Sequence, residues 1–172
     1  MSEPMNVMVE VWPVAVDETG LWLLSGEDAW RDGPVAADGD VHYMVESLLW
    51  QHGIGRWGNV MLHSTSWRPD GPHVVLTYIA AVRLDGLAME KVPDAAPITP
   101  ELAEAVGKPP THAPTEPPVP RYIDVLFHAL RHIKYLYDHD VTNAAAMGPL
   151  WRRHLEPFAP ALAGLYSERH VA

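Results

Sequence analysis

Val7, Val9 and Val11 alternate with Met8, Glu10 and Trp12, a period-two pattern that predicts a half-buried strand near the N-terminus. Pro13 has no N–H for a ladder bond, which points to a bulge or an edge in that strand. Asp17-Glu18-Thr19-Gly20 is a turn signal, and Leu21-Trp22-Leu23-Leu24 returns as a second strand. Further along, residues 59–67 and 73–82 flank Arg68-Pro69-Asp70-Gly71-Pro72, where Pro and Gly supply turn dihedrals, so a hairpin is expected. Its second arm, from Val74 to Val82, is apolar on both faces, as in a central strand covered on each side.

Between these strand pairs the period changes. Val41, Met44, Val45, Leu48 and Leu49 fall at i, i+3, i+4, i+7 and i+8, one core stripe of an amphipathic helix. Asp40 is a suitable N-cap and Gly53 a suitable stop. Trp50 lies opposite the stripe with His42, Tyr43, Glu46 and Ser47, where a bulky indole calls for a cover: a ligand, another part of the chain, or a second subunit.

Residues 92–120 hold nine of the chain's 17 prolines, which predicts an extended, polyproline-like connector. A short helical turn inside it would start at Thr99-Pro100 and stop at Gly107. Beyond it, Ile123, Leu126, Leu130, Ile133 and Tyr137 keep helical spacing. Another helical region starts near Thr142, is broken at Gly148-Pro149, Pro157 and Pro160, and ends in a piece with Leu162, Leu165 and Tyr166. The expected organisation is therefore an α/β core over residues 1–91, a connector over 92–120, and a helical segment over 121–172. That segment should pack on the core or on a second copy in a homodimer.

Composition narrows the chemistry. The chain has 172 residues, 48% of them hydrophobic, enough to bury a core without a disulfide or a structural metal. With no cysteine, thiol catalysis, Cys-ligated zinc and iron–sulfur clusters are excluded. No apolar run reaches the roughly 18 residues of a membrane-spanning helix, and the N-terminus shows no secretory pattern, so a cytoplasmic protein off the membrane is expected. Of the formal charge of −10, residues 1–120 carry more than all, with 17 Asp/Glu against 6 Lys/Arg. Such a body repels nucleic-acid backbones and anionic lipid.

The order strand, strand, loop, helix ending in Gly, strand, strand resembles the Nudix superfamily. The resemblance covers residues 6–82: Trp22 to Leu24 followed by Trp30-Arg31-Asp32-Gly33-Pro34 is similar to the strand and loop before the family's box, and Gln51-His52-Gly53-Ile54 to the end of its helix. It implies a mixed-sheet α/β/α sandwich, here with extra C-terminal helices. In the family, helix carboxylates hold a divalent metal that bridges a diphosphate during hydrolysis. Aligned from Gly53 and Ile54, the box Arg falls on Glu46, the Glu beside it on Ser47, the paired glutamates on Trp50 and Gln51, and the upstream glutamate on Asp38. Three helix carboxylates are thus replaced, and one Gln carbonyl is no substitute for a carboxylate cluster around magnesium.

Two functions follow. One is a non-hydrolytic binding or regulatory protein without cofactor, recognising a small nucleotide-like ligand or a protein partner through Trp30, Arg31, Ser47, Trp50 and Gln51. The other is a divergent Nudix hydrolase of nucleoside-diphosphate derivatives that holds magnesium on Asp38, Glu46 and Gln51. The first accounts directly for Trp50, Gln51 and Ser47.

Other patterns carry less. His128 and His132 have the i, i+4 spacing of two zinc ligands but point away from the apolar stripe, as surface or interface histidines would. His139-Asp140 resembles the doublet of HD-domain phosphohydrolases, yet no aspartate follows Asp140 to complete that metal site. His63-Ser64-Thr65-Ser66 reads as polar residues alternating on a half-exposed strand, with no G-x-S-x-G elbow to make a nucleophile of a serine.

Overall fold

A computed structural model describes residues 6–55, 58–84, 92–99 and 122–161 of the chain. Strands β1 (Asn6–Val16), β2 (Leu21–Leu23) and β3 (Trp30–Asp32) precede helix α1 (Val41–Gln51). Strands β4 (Asn59–Asp70), β5 (His73–Val82) and β6 (Ala96–Ile98) follow, then helices α2 (Tyr122–His139), α3 (Val141–Met147) and α4 (Pro149–Leu155). The sheet runs β4-β5-β1-β2-β6, with β3 also on β1. It is mixed: β1 and β5 are parallel and the other pairs antiparallel.

β1 is long enough to serve two partners on one edge. Its first half pairs β3 at Val9–Val11 and its second half pairs β2 at Val14–Val16, while β5 follows nearly its whole length on the other side. Pro13 sits between the β3 and β2 stretches, where its missing N–H costs little. Side-chain alternation then sorts the core into two layers. Val9, Val11, Ala15, Ala80 and Val82 meet Val45, Leu48 and Leu49 of α1. Trp12, Val14, Ile79 and Ala81 meet Leu126, Leu130, Ile133, Trp151 and Leu155 of the C-terminal helices. The result is an α/β/α sandwich with the C-terminal helices on the chain's own sheet.

Two features depart from the sequence reading, and a third agrees with it. β4 continues through Arg68, Pro69 and Asp70, so the hairpin turn is only Gly71-Pro72, with Gly71 at φ 57°. Ala96–Ile98, within the expected connector, forms the edge strand β6 on β2, and its Pro97 suits an edge because it needs no ladder donor. α3 and α4 separate at Gly148-Pro149 as expected, Gly148 taking φ 83° and Pro149 opening α4. The helical turn beyond Thr99 and the stretch with Leu162, Leu165 and Tyr166 lie outside the described residues.

The most demanding element of the core is polar. Glu10 is 0% exposed, in register between Arg31 on β3 and Thr77 on β5. Arg68 grips its carboxylate with both guanidinium nitrogens, Nη2 at 2.7 Å; Thr77 Oγ1 donates at 2.7 Å and Arg31 Nε lies 3.1 Å away. Burial alone pushes the Glu10 carboxyl up; hydrogen bonds from Arg68 and Thr77 and the two positive charges outweigh it and hold it below its usual value. The geometry depends on one bulge. Between Ser64 and Ser66 the β4 register slips by a residue, so that Ser66 faces Thr77 and Arg68 faces Val75. Without the slip, residue 68 would fall on the α1 side of the sheet, away from Glu10.

Without Arg68 the buried carboxylate keeps only Thr77 and the partly exposed Arg31. Arg68→Ala is therefore expected to cost about 3–5 kcal/mol in urea unfolding. Trp67→Ala next to it, at a side chain 69% exposed, should stay within about 0.5 kcal/mol of wild type.

Candidate functional site

Helix α1 is fixed at both ends by its own sequence. Asp40 accepts from the backbone N–H groups of His42 (2.9 Å) and Tyr43 (3.2 Å). At the other end Gly53, at φ 82°, donates to Trp50 O and Ile54 donates to Leu49 O, a Schellman stop that only a left-handed residue closes easily. Ile54 packs in the same core layer as Leu49. With Val45, Leu48 and Leu49 buried, the helix must show its other side to solvent.

That outer side carries a cleft of about 330 Å³ lined by Tyr43, Glu46, Ser47, Trp50, Ile54 and Gly55, with Leu49 at its base. Tyr43, Ser47 and Trp50 stand one turn apart on one ridge. Tyr43 is 70% exposed and Trp50 68%, so no described segment of the chain covers the indole. Glu46 is the charged group of the lining, and its carboxylate lies 3.7 Å from His42 Nε2.

The expected ligand-binding residues do not all meet there. Ser47 and Trp50 line the cleft; Gln51 is exposed on the same helix but outside the lining. Trp30 stacks on His52 at the end of α1, with centroids 3.8 Å apart and planes within 4°. Arg31, the next residue along β3, projects from the opposite face toward Glu10. Strand alternation separates a pair that adjacency in sequence had joined. Tyr43 was the residue missed, although it lies two turns before Trp50 on the face opposite the stripe. Trp67 is exposed on β4 and outside the lining.

The alternative magnesium set does not assemble either. Asp38 is exposed in the loop before α1, Glu46 faces His42, and Gln51 faces solvent. Among the described residues no three His, Asp or Glu side chains come close enough together to hold a metal ion. Residues that would need to converge on a hard cation therefore do not fit one here.

The histidines of α2 are placed by the sheet. Of the two histidines expected at a surface or an interface, His132 is not on the surface: it is 4% exposed and faces His63 of β4, its Nε2 3.2 Å from His63 Nδ1. A carbonyl can only accept, so the 2.8 Å contact of His63 Nδ1 with Ser64 O puts the proton on Nδ1. His132 Nε2 then accepts, and His132 also hydrogen-bonds the Ala161 backbone. His128, one turn earlier, bonds the Thr65 backbone at the bulge. The two α2 imidazoles are thus spent on separate partners, which ties the helix to β4. Ser64 pairs opposite Tyr78 and turns to the other face from His63, so they form no dyad. Asp140 caps α3 through the N–H groups of Thr142 and Asn143, and His139 Nδ1 donates to Tyr135 O.

No protein-family model matches the chain, and no curated protein matches it by sequence.

Burial, then the facing His63, lowers the His132 pKa; burial, then Arg131, lowers that of His128. With folded values below the unfolded 6.5, the neutral forms stabilise the fold fully above that pH, and the contribution is lost as pH falls through the folded values. The melting temperature should drop between about pH 7.5 and about pH 5.5, and His132→Gln should flatten that slope. An equal slope in the variant would contradict the pairing.

Proposed function

We propose that this chain is a non-hydrolytic binding or regulatory protein on a Nudix-like scaffold, and that the outer ridge of α1 receives a protein partner. The observation that carries this reading is the pair Tyr43 and Trp50, 70% and 68% exposed across a cleft whose charged lining residue is the carboxylate of Glu46. Aromatic anchors that can be desolvated on contact are what protein interfaces use for most of their binding energy. The mixed sheet with one capped helix on one face and helices on the other supports the Nudix-like scaffold.

Of the two partner classes considered, a nucleotide-like ligand is the less favoured. Its base could stack on Trp50, but its phosphates would meet Glu46, with no cation among the described residues of the lining. Arg31, the cation that would have served, is engaged on the opposite face. Among the described residues, no carboxylates converge to give the hydrolase alternative a site for its metal.

The experiment places a photo-crosslinking amino acid at position 47 and compares wild type with Trp50→Ala. A defined polypeptide should be trapped by the first and lost from the second. Because Trp50 is exposed, Trp50→Ala should change stability by no more than about 0.5 kcal/mol. Nucleoside mono- and diphosphates should leave tryptophan fluorescence unchanged. Saturable quenching by a nucleotide, abolished in Trp50→Ala, would overturn the protein-partner reading in favour of the small ligand.

A further inference from the structure

The α1 ridge has a length that can be matched to a partner. Tyr43 and Trp50 are both on α1 and on one side of it, separated along the axis by about 10 Å at 1.5 Å per residue. A polyproline-II helix brings every third side chain onto one face and advances about 9 Å in doing so. Prolines three residues apart therefore meet both rings, the arrangement by which aromatic-lined grooves bind such segments. Because polyproline II has no internal hydrogen bonds, its carbonyls stay open to a donor. Trp50 supplies one: its indole N–H makes no hydrogen bond among the described residues.

The chain itself carries such a segment. Pro114, Pro117 and Pro120 recur at every third residue of Pro114-Thr115-Glu116-Pro117-Pro118-Val119-Pro120-Arg121, which lies outside the described residues. In a polyproline-II helix those three prolines share one face, Glu116 and Val119 a second, and Thr115, Pro118 and Arg121 the third. The proline face suits the aromatic pair and leaves Arg121 at its flank. Glu46 is the charged group beside the ridge, and its carboxylate lies 3.7 Å from His42 Nε2, beyond hydrogen-bond reach. It thus remains able to accept a guanidinium fork.

Where the segment ends decides whose ridge it meets. Arg121 is joined directly to Tyr122, the first residue of α2. Val125 and Leu126, in the first turn of α2, are buried in the core layer on the face of the sheet opposite α1. With about 10 Å between packed layers, the outer ridge of α1 stands more than about 20 Å from α2. Pro117 and Pro120 precede Tyr122 too closely, at about 3.1 Å per residue, to pass round the sheet to their own ridge. The ridge of a second copy is under no such limit.

We propose that residues 114–121 of a second copy dock on the α1 ridge, Pro117 on Trp50 and Pro120 on Tyr43, with Arg121 reaching back to Glu46. This rests on the reading of the ridge as a protein-partner surface and names the partner as this same chain. A photo-crosslinking residue at position 47, in an equal mixture of isotopically light and heavy full-length chains, should join light to heavy, with the crosslink mapping to residues 114–121. Sedimentation equilibrium should show self-association that Trp50→Ala, or Pro117→Ala with Pro120→Ala, weakens by at least about tenfold. Pro118→Ala, on another face of the segment, should stay within about twofold. Glu46→Arg and Arg121→Glu should each weaken association and together restore it, a rescue that a folding defect does not give. A chain that stays monomeric at up to about 1 mM, crosslinks confined within single chains, or charge reversals without rescue would each overturn the proposal. If position 47 traps a different polypeptide while the chain stays monomeric, this inference falls and the partner reading stands; if it traps none, both fall.

Discussion

A carboxylate with no exposure to water sits in the middle of the sheet, and the surrounding strands are arranged to keep it charged. Glu10 needs Arg31 from β3 and, much further along the chain, Arg68 and Thr77 from the β4–β5 hairpin. A charge buried this deeply costs several kcal/mol unless its partners are in place, so alternatives that separate them are penalised. The bulge at Thr65 is what satisfies the constraint, because it returns Arg68 to the face of Glu10 after a one-residue slip. The same slip turns Trp67 outward, and the displaced Thr65 is covered, donating to Thr77 O at 3.4 Å.

The clamp also shapes what remains for recognition. By recruiting Arg31 to one face of the sheet, it leaves the α1 face with Tyr43, Trp50 and Glu46 and, among the described residues of the cleft lining, no arginine. The C-terminal helices close the opposite face through Leu126, Leu130 and Trp151 and through the His63–His132 contact. At the β2–β6 edge that side opens again, beside Arg153. Each surface feature is the remainder after the interior has been satisfied.

Elements governed by local pattern were legible in the sequence. The valine alternation of β1, the stripe and caps of α1, the two-faced apolar run of β5 and the breaks around α3 and α4 all follow from spacing and from Gly or Pro positions. Features set by distant partners were not. Ala96–Ile98 pairs because Leu21–Leu23 offers a free edge, which no feature of the Pro-rich run announces. Arg31 next to Trp30 looked like a shared site until strand alternation divided them. His132 looked like a surface residue because the helix stripe was judged alone, whereas β4 covers its flank as well. Trp50 and Ser47 were visible as candidates for a plain reason: a large ring opposite a helix's core stripe needs an explanation wherever the helix packs.

The central claim is that Glu10 is ionised inside the sheet and that its ionisation holds β1, β3, β4 and β5 together. Carbon-13 shifts of the Glu10 side-chain carboxyl, followed by NMR through an acid titration, test it directly. A folded value below the ordinary 4.5 means stability that is complete above that pH and lost as pH falls through the folded value. The account predicts that the Glu10 signal stays that of a carboxylate below pH 4.5 until the protein unfolds. A carboxyl that protonates at or above 4.5 while the fold persists would contradict it.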